Sequence, residues 1–93
     1  MDPNATLDVM LTTLDMAAMD EAGRALMDWA GRGGFDPDFP APWGVRYNVD
    51  GQFAGTFSAM TPAGDCGAYD SRNDAVRAVV WNMRNEQYAR FAV

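Results

Sequence analysis

The sequence predicts an α+β single domain over residues 1–93, ordered as a long helix, three antiparallel strands and a second helix (αβββα). Three observations predict it. Apolar residues recur at helical spacing from Leu7 to Trp29, alternating apolar residues flank Asn48–Gly51, and a second helical pattern opens at Ser71. A chain of 93 residues has room for one small core and for no Rossmann domain, barrel or kinase.

The first helix is expected over 4–31. Asp2-Pro3 supplies an acidic N-cap and a proline at the first helical position, and Gly31-Arg32-Gly33-Gly34 supplies the stop. As one helix it is about 40 Å long, and Gly23 or the Thr12-Thr13 pair offers a place to break it. One apolar stripe holds Leu7, Leu11, Leu14, Ala18, Ala25 and Trp29; a second flank holds Val9, Met16, Met19 and Met27. Two flanks need two surfaces, and the sheet and the C-terminal helix are the expected pair. The alternative is that Met16, Met19 and Met27 form the seam of a homodimer, since methionine adapts to irregular interfaces.

Residues 31–44 form a Gly/Pro-rich loop carrying Phe35, Phe39 and Trp43, which either tuck over the edge of the core or stand out as anchors for a partner. A hairpin is expected over 43–60. A type I turn with a glycine bulge at Asn48–Gly51 pairs Tyr47 with Phe53, which puts Val45, Tyr47, Phe53 and Phe57 on one buried face. Met60–Asp65 reads as a turn and Cys66–Tyr69 as a short third strand (66–70). Ser71-Arg72-Asn73-Asp74 then resembles a capping box for a helix over 72–90, with Val76, Val79, Val80 and Met83 as its core stripe.

The absence of histidine excludes Ser/His and Cys/His catalytic pairs, and a single cysteine excludes an internal disulfide and a multi-cysteine zinc site. Cys66 follows Asp65, which opposes thiolate formation, so it reads as structural. Asp36-Pro37-Asp38 offers two loop carboxylates without further oxygen ligands, a weak basis for a metal site. No phosphate-binding loop or nucleophile elbow is present. The expectation is a non-enzymatic protein with no cofactor and no bound metal.

Charge is more informative. The net charge is −6 and every base is arginine. Residues 1–45 hold eight acids and two bases, whereas residues 46–93 hold five of each. The whole imbalance therefore sits in the first half, which bears on partners rather than on fold. Asp20, Glu21 and Asp28 on the long helix, with Asp36 and Asp38 beyond it, form the expected acidic face, and Phe35, Phe39 and Trp43 its aromatic neighbours. A row of carboxylates at helical spacing presents a coarse copy of a phosphate array to a protein built to hold one. On the C-terminal helix Arg77, Trp81, Arg84 and Tyr88 share a sector; either Trp81 packs under the first helix while the arginines pair with its acids, or the sector is an alternative nucleic-acid face. The neutral second half argues against nucleic acid as the main ligand.

No apolar run is long enough to span a membrane, no export signal is readable at the N-terminus, and a lone cysteine suits a reducing compartment. With fifteen alanines, no lysine and no isoleucine, the composition suggests a GC-rich bacterial or phage source, so the cytoplasm of a bacterial cell is the expected location.

Two resemblances follow from these features. The segment Trp43–Phe91 loosely resembles small sheet-and-helix modules such as double-stranded-RNA-binding and integrase arm-binding domains, which are basic where this chain is not. In size, acidity and lack of catalytic residues, the whole chain is similar to phage and plasmid inhibitors of bacterial defence, the anti-CRISPR and anti-restriction proteins. That second resemblance rests on class and on no motif. It implies a protein partner such as a CRISPR effector or restriction component.

Overall fold

The computed structural model describes residues 1–91. It contains helix α1 (Pro3–Thr12), helix α2 (Met16–Gly31), strands β1 (Gly44–Tyr47), β2 (Phe57–Thr61) and β3 (Gly64–Tyr69), helix α3 (Arg72–Gln87) and a 3-10 turn at Tyr88–Phe91. The α+β class and the three-stranded antiparallel sheet, in the order β1-β2-β3, are as expected. The expected single helix over 4–31 is two.

The break lies at Thr13–Asp15, and the residues there explain it. Thr13 Oγ1 accepts the Asp15 N–H at 3.2 Å, and the Asp15 carboxylate accepts the Ala17 N–H at 2.9 Å. These side chains compete with the helical ladder and start a new helix with Asp15 as its N-cap. Asp2 caps α1 in the same way, with proline at the first turn. The chain folds back at the break, so α1 and α2 pack as an antiparallel helical hairpin. Leu14, expected in the core stripe, lies at this break and is exposed.

Helix α3 occupies the centre. It packs on all three strands with one side and on α2 with the other. Its Val79, Val80 and Met83 are buried among Leu7, Met10, Met19 and Leu26 from the hairpin and Ala59 from the sheet, and its Val76 is buried as well. Each such side chain contributes about 1.5–3 kcal/mol of burial. The arrangement differs from the expectation that the N-terminal helix lies between the sheet and the C-terminal helix. Helix α3 ends three residues short of 90, where the chain tightens into the 3-10 turn.

The hairpin register also differs. Tyr47 pairs with Phe57 and Val45 with Ala59. The Asn48 N–H donates to Thr56 O at 2.9 Å and the Gly55 N–H to Asn48 O at 2.8 Å, so the ladder closes there and residues 49–55 form a loop. Gly51 and Gly55 take φ of +80° and +83°, which turn the chain back on itself. Asn48 Nδ2 donates to both Thr56 and Ser58 hydroxyls and pins the loop to β2. Phe53 therefore sits in the loop, exposed, and Tyr47 at the end of β1 is exposed as well, so of the expected buried face only Val45 and Phe57 are partly buried. Strand β2 continues to Thr61 and β3 begins at Gly64, leaving only Pro62-Ala63 for the turn that was expected to be longer.

Candidate functional site

The predicted acidic face separates into carboxylates held internally and carboxylates left open. Asp20 is held. The Tyr88 hydroxyl donates to Asp20 Oδ1 at 2.6 Å, Arg84 Nη1 reaches the same oxygen at 3.3 Å, and Arg24 Nη2 reaches Oδ2 at 3.1 Å. The Tyr88 hydrogen bond chiefly holds the Asp20 carboxyl below its usual range, against desolvation and with help from Arg24 and Arg84. The same hydrogen bond pushes the Tyr88 hydroxyl up, and burial adds to it. Asp20 thus ties α2 to α3 and the 3-10 turn. Asp28 pairs with Arg32 on the surface at 2.6 Å. Asp36 pairs with Arg72 at the start of α3. Asp38 accepts the Asn4 amide through its side chain and donates its backbone N–H to Asn4 Oδ1 at 2.7 Å.

Five acids of the first half have no ion pair among the described residues: Asp2, Asp8, Asp15, Glu21 and Asp38. They cluster on the helical hairpin and the loop beside it. Glu21 lines a groove of about 370 Å³ between α1 and α2, with Ala5, Val9, Ala18, Ala22 and Ala25. Asp8 and Asp38 line a cleft of about 340 Å³ on the other side of α1, with Leu7, Leu11 and Pro40. No base lines either depression. The acids without ion pairs are therefore spread over the hairpin, with Asp2 capping α1 and Asp8 within it, Asp15 capping α2 and Glu21 within it, and Asp38 on the loop beside it; of the expected α2 row only Glu21 is among them. The signal for part of this was in the sequence: Asp15, two residues after Thr13, marks a second N-cap and so a folded-back α1.

The three loop aromatics do not act together. Phe39 and Trp43 are partly buried against the core, so they are not free anchors. Phe35 is 65% exposed and meets Trp29 edge-on, with ring centroids 5.6 Å apart. The Trp29 indole N–H donates to Phe35 O at 2.8 Å, and Gly34 passes so close to the indole that a Cβ there would lie 2.2 Å from it.

The methionine seam is not formed. Met19 has no exposed surface and Met27 is partly buried against the core, so of the three only Met16 is fully on the surface. The physical reason is the break at Thr13–Asp15, which lays α1 and α3 over the flank that Met19 occupies.

The proposed nucleic-acid sector is also divided. Arg84 is 8% exposed, with its guanidinium 4.6 Å from the Trp81 ring centroid, 6.0 Å from that of Tyr88 and bonded to Asp20. It is occupied inside the fold, and its Nε has no hydrogen-bond partner among the described residues. Tyr88 is occupied by Asp20. Arg77 and the half-exposed Trp81 remain, lining a cleft of about 460 Å³ with Met27, Tyr69, Asp74 and Asn82.

Cys66 lies on β3, 3.4 Å from the Asn82 amide. Desolvation pushes its thiol up, and Asp65 adds to the effect, so thiolate is disfavoured there. Among the described residues no group of three or more Cys, Asp or Glu is placed to hold a metal ion, and no helix is long and apolar enough to cross a membrane. No known protein-family model, curated protein or solved structure matches the chain.

Proposed function

We propose that the chain is a non-enzymatic binding protein that blocks a nucleic-acid-handling protein in the cytoplasm of a bacterial cell, in the manner of an anti-CRISPR or anti-restriction inhibitor. The observation that supports this is the set of carboxylates on the helical hairpin and the loop beside it without cationic partners among the described residues, next to apolar depressions that contain no base. Among the described residues five of the seven arginines pair with acids, and Arg90 bonds the α1 backbone at Leu11 O and Met10 O, so none forms an ion pair with Asp2, Asp8, Asp15, Glu21 or Asp38. A protein that holds phosphates presents the complementary positive surface.

The test is retention of purified CRISPR effectors and restriction enzymes on the immobilised chain, followed by their DNA-binding assays. At least one should be retained and lose DNA binding. Retention of none across the panel contradicts the proposal. A second reading, contact with single strands through Arg77 and Trp81, is favoured by Arg77 having no ion pair among the described residues. A low-salt gel shift tests it, and the principal reading expects no shift.

A further inference from the structure

The α1–α2 groove has a definite shape and charge. Val9 is 44% exposed on one wall, Ala18 and Ala25 line the other, and the buried Ala22 lies at the floor. Ala5 opens the end nearer the N-terminus, where Asp2 caps α1. Glu21 stands at the rim. From Ala18 to Ala25 the groove covers about two helical turns of α2. One turn further on the same α2 face is Trp29, with Phe35 edge-on against it, so an apolar strip continues past the groove. Small side chains along a helical hairpin let a third helix approach to about 8 Å.

The charge decides between occupants. A second copy would face the groove through a two-fold axis, in which the same patch meets itself. That brings Glu21 toward Glu21 between chains of −6 each, with no base in the lining to compensate. An occupant with lysine or arginine beside its apolar stripe meets Glu21 and Asp2 favourably. We propose that the α1–α2 groove receives a basic amphipathic helix of the partner, its apolar stripe against Val9, Ala18, Ala22 and Ala25 and its cations against Glu21 and Asp2. This rests on the inhibitor reading and specifies how that surface is engaged.

The test uses three synthetic 16-residue peptides: a Leu/Ala-striped helix flanked by lysine, the same helix flanked by glutamate, and a scramble of the lysine peptide with no stripe. Amide chemical shifts of the full chain are followed by NMR. The lysine-flanked helix should move residues 5–9 and 18–25 and saturate. The other two should bind at least tenfold more weakly. Ala5→Arg, at an exposed position, should weaken the lysine-flanked helix at least tenfold while leaving the rest of the spectrum in place. Equal binding by the scramble, shifts centred elsewhere, or an unaffected Ala5→Arg variant overturns the groove assignment. If an effector is retained and Ala5→Arg retains it equally, the inhibitor reading stands and the groove fails. If the peptide binds but no effector does, the groove stands and the inhibitor reading fails.

Discussion

Gly23→Ala is expected to destabilise the protein, against the usual sign for a helix interior. Gly23 lies in the middle of α2, where replacing glycine by alanine normally gains about 0.5–1 kcal/mol. Here a Cβ would lie 2.6 Å from Arg84 Cδ, 3.0 Å from Arg84 Cγ and 3.3 Å from Met10 Sδ. Arg84 has little room to yield, because it is buried, lies against the Trp81 ring and is bonded to Asp20. Overpacking of this kind costs about 1–3 kcal/mol, which exceeds the propensity gain. Urea unfolding should therefore show a lower midpoint with an unchanged slope, and Tm should fall by roughly 4–8 °C for each kcal/mol. In an Arg84→Ala background the two closest contacts are gone and only the flexible Met10 thioether at 3.3 Å must yield, so Gly23→Ala should lose its destabilising effect and gain at most about 0.5–1 kcal/mol. The reasoning is refuted if Gly23→Ala stabilises the parent chain, or if its effect is the same in both backgrounds.

Three further outcomes follow from the same packing. Met19→Ala should cost about 2–5 kcal/mol as a core truncation, whereas the exposed Met16→Ala should stay within about 0.5 kcal/mol, and light scattering should give the same mass for both. Asp15→Ala removes the α2 N-cap and should cost about 1 kcal/mol in urea unfolding. The Asp20 carboxyl is held low by Tyr88, so its contribution is complete above the unfolded aspartate value of about 3.9 and is lost as pH falls through the lower folded value. Tyr88→Phe should raise the Asp20 pKa in an NMR titration, and Asp20→Asn should flatten the acid limb of the stability curve below about pH 4.

How much of this was legible in the sequence depends on whether a feature is local. The capping of α3 by Ser71, which accepts the Asp74 N–H at 3.1 Å, is written in four consecutive residues and was read correctly. The Thr12-Thr13 break was legible as an option, because threonine and aspartate side chains compete with the helical ladder. The hairpin register was not. Alternation through Tyr47 and Phe53 fits a tight turn, but hydrogen bonds from Asn48 to Thr56 and Ser58 close the ladder later. The site fared similarly. Glu21 and Asp38 are open as expected. Pairing of the C-terminal helix arginines with acids of the first helix was one of two readings, and Arg84 with Asp20 is the pair that forms. That pairing spans 64 positions and depends on α3 lying against α2, which no local pattern specifies. The free acids on the hairpin emerged only once the arginines had found their partners.

The central claim is that uncompensated carboxylates on the helical hairpin drive binding to a basic protein surface. Titrating a retained effector with the parent chain and with an Asp8→Lys/Glu21→Lys variant, at 50 and 300 mM salt, tests it most directly. Both substitutions are at exposed positions without ion pairs among the described residues, so the fold should be kept. The account predicts that affinity for the parent falls at least tenfold as salt rises, and that the variant binds at least tenfold more weakly than the parent at low salt. Equal affinity of parent and variant, unmoved by salt, would contradict it.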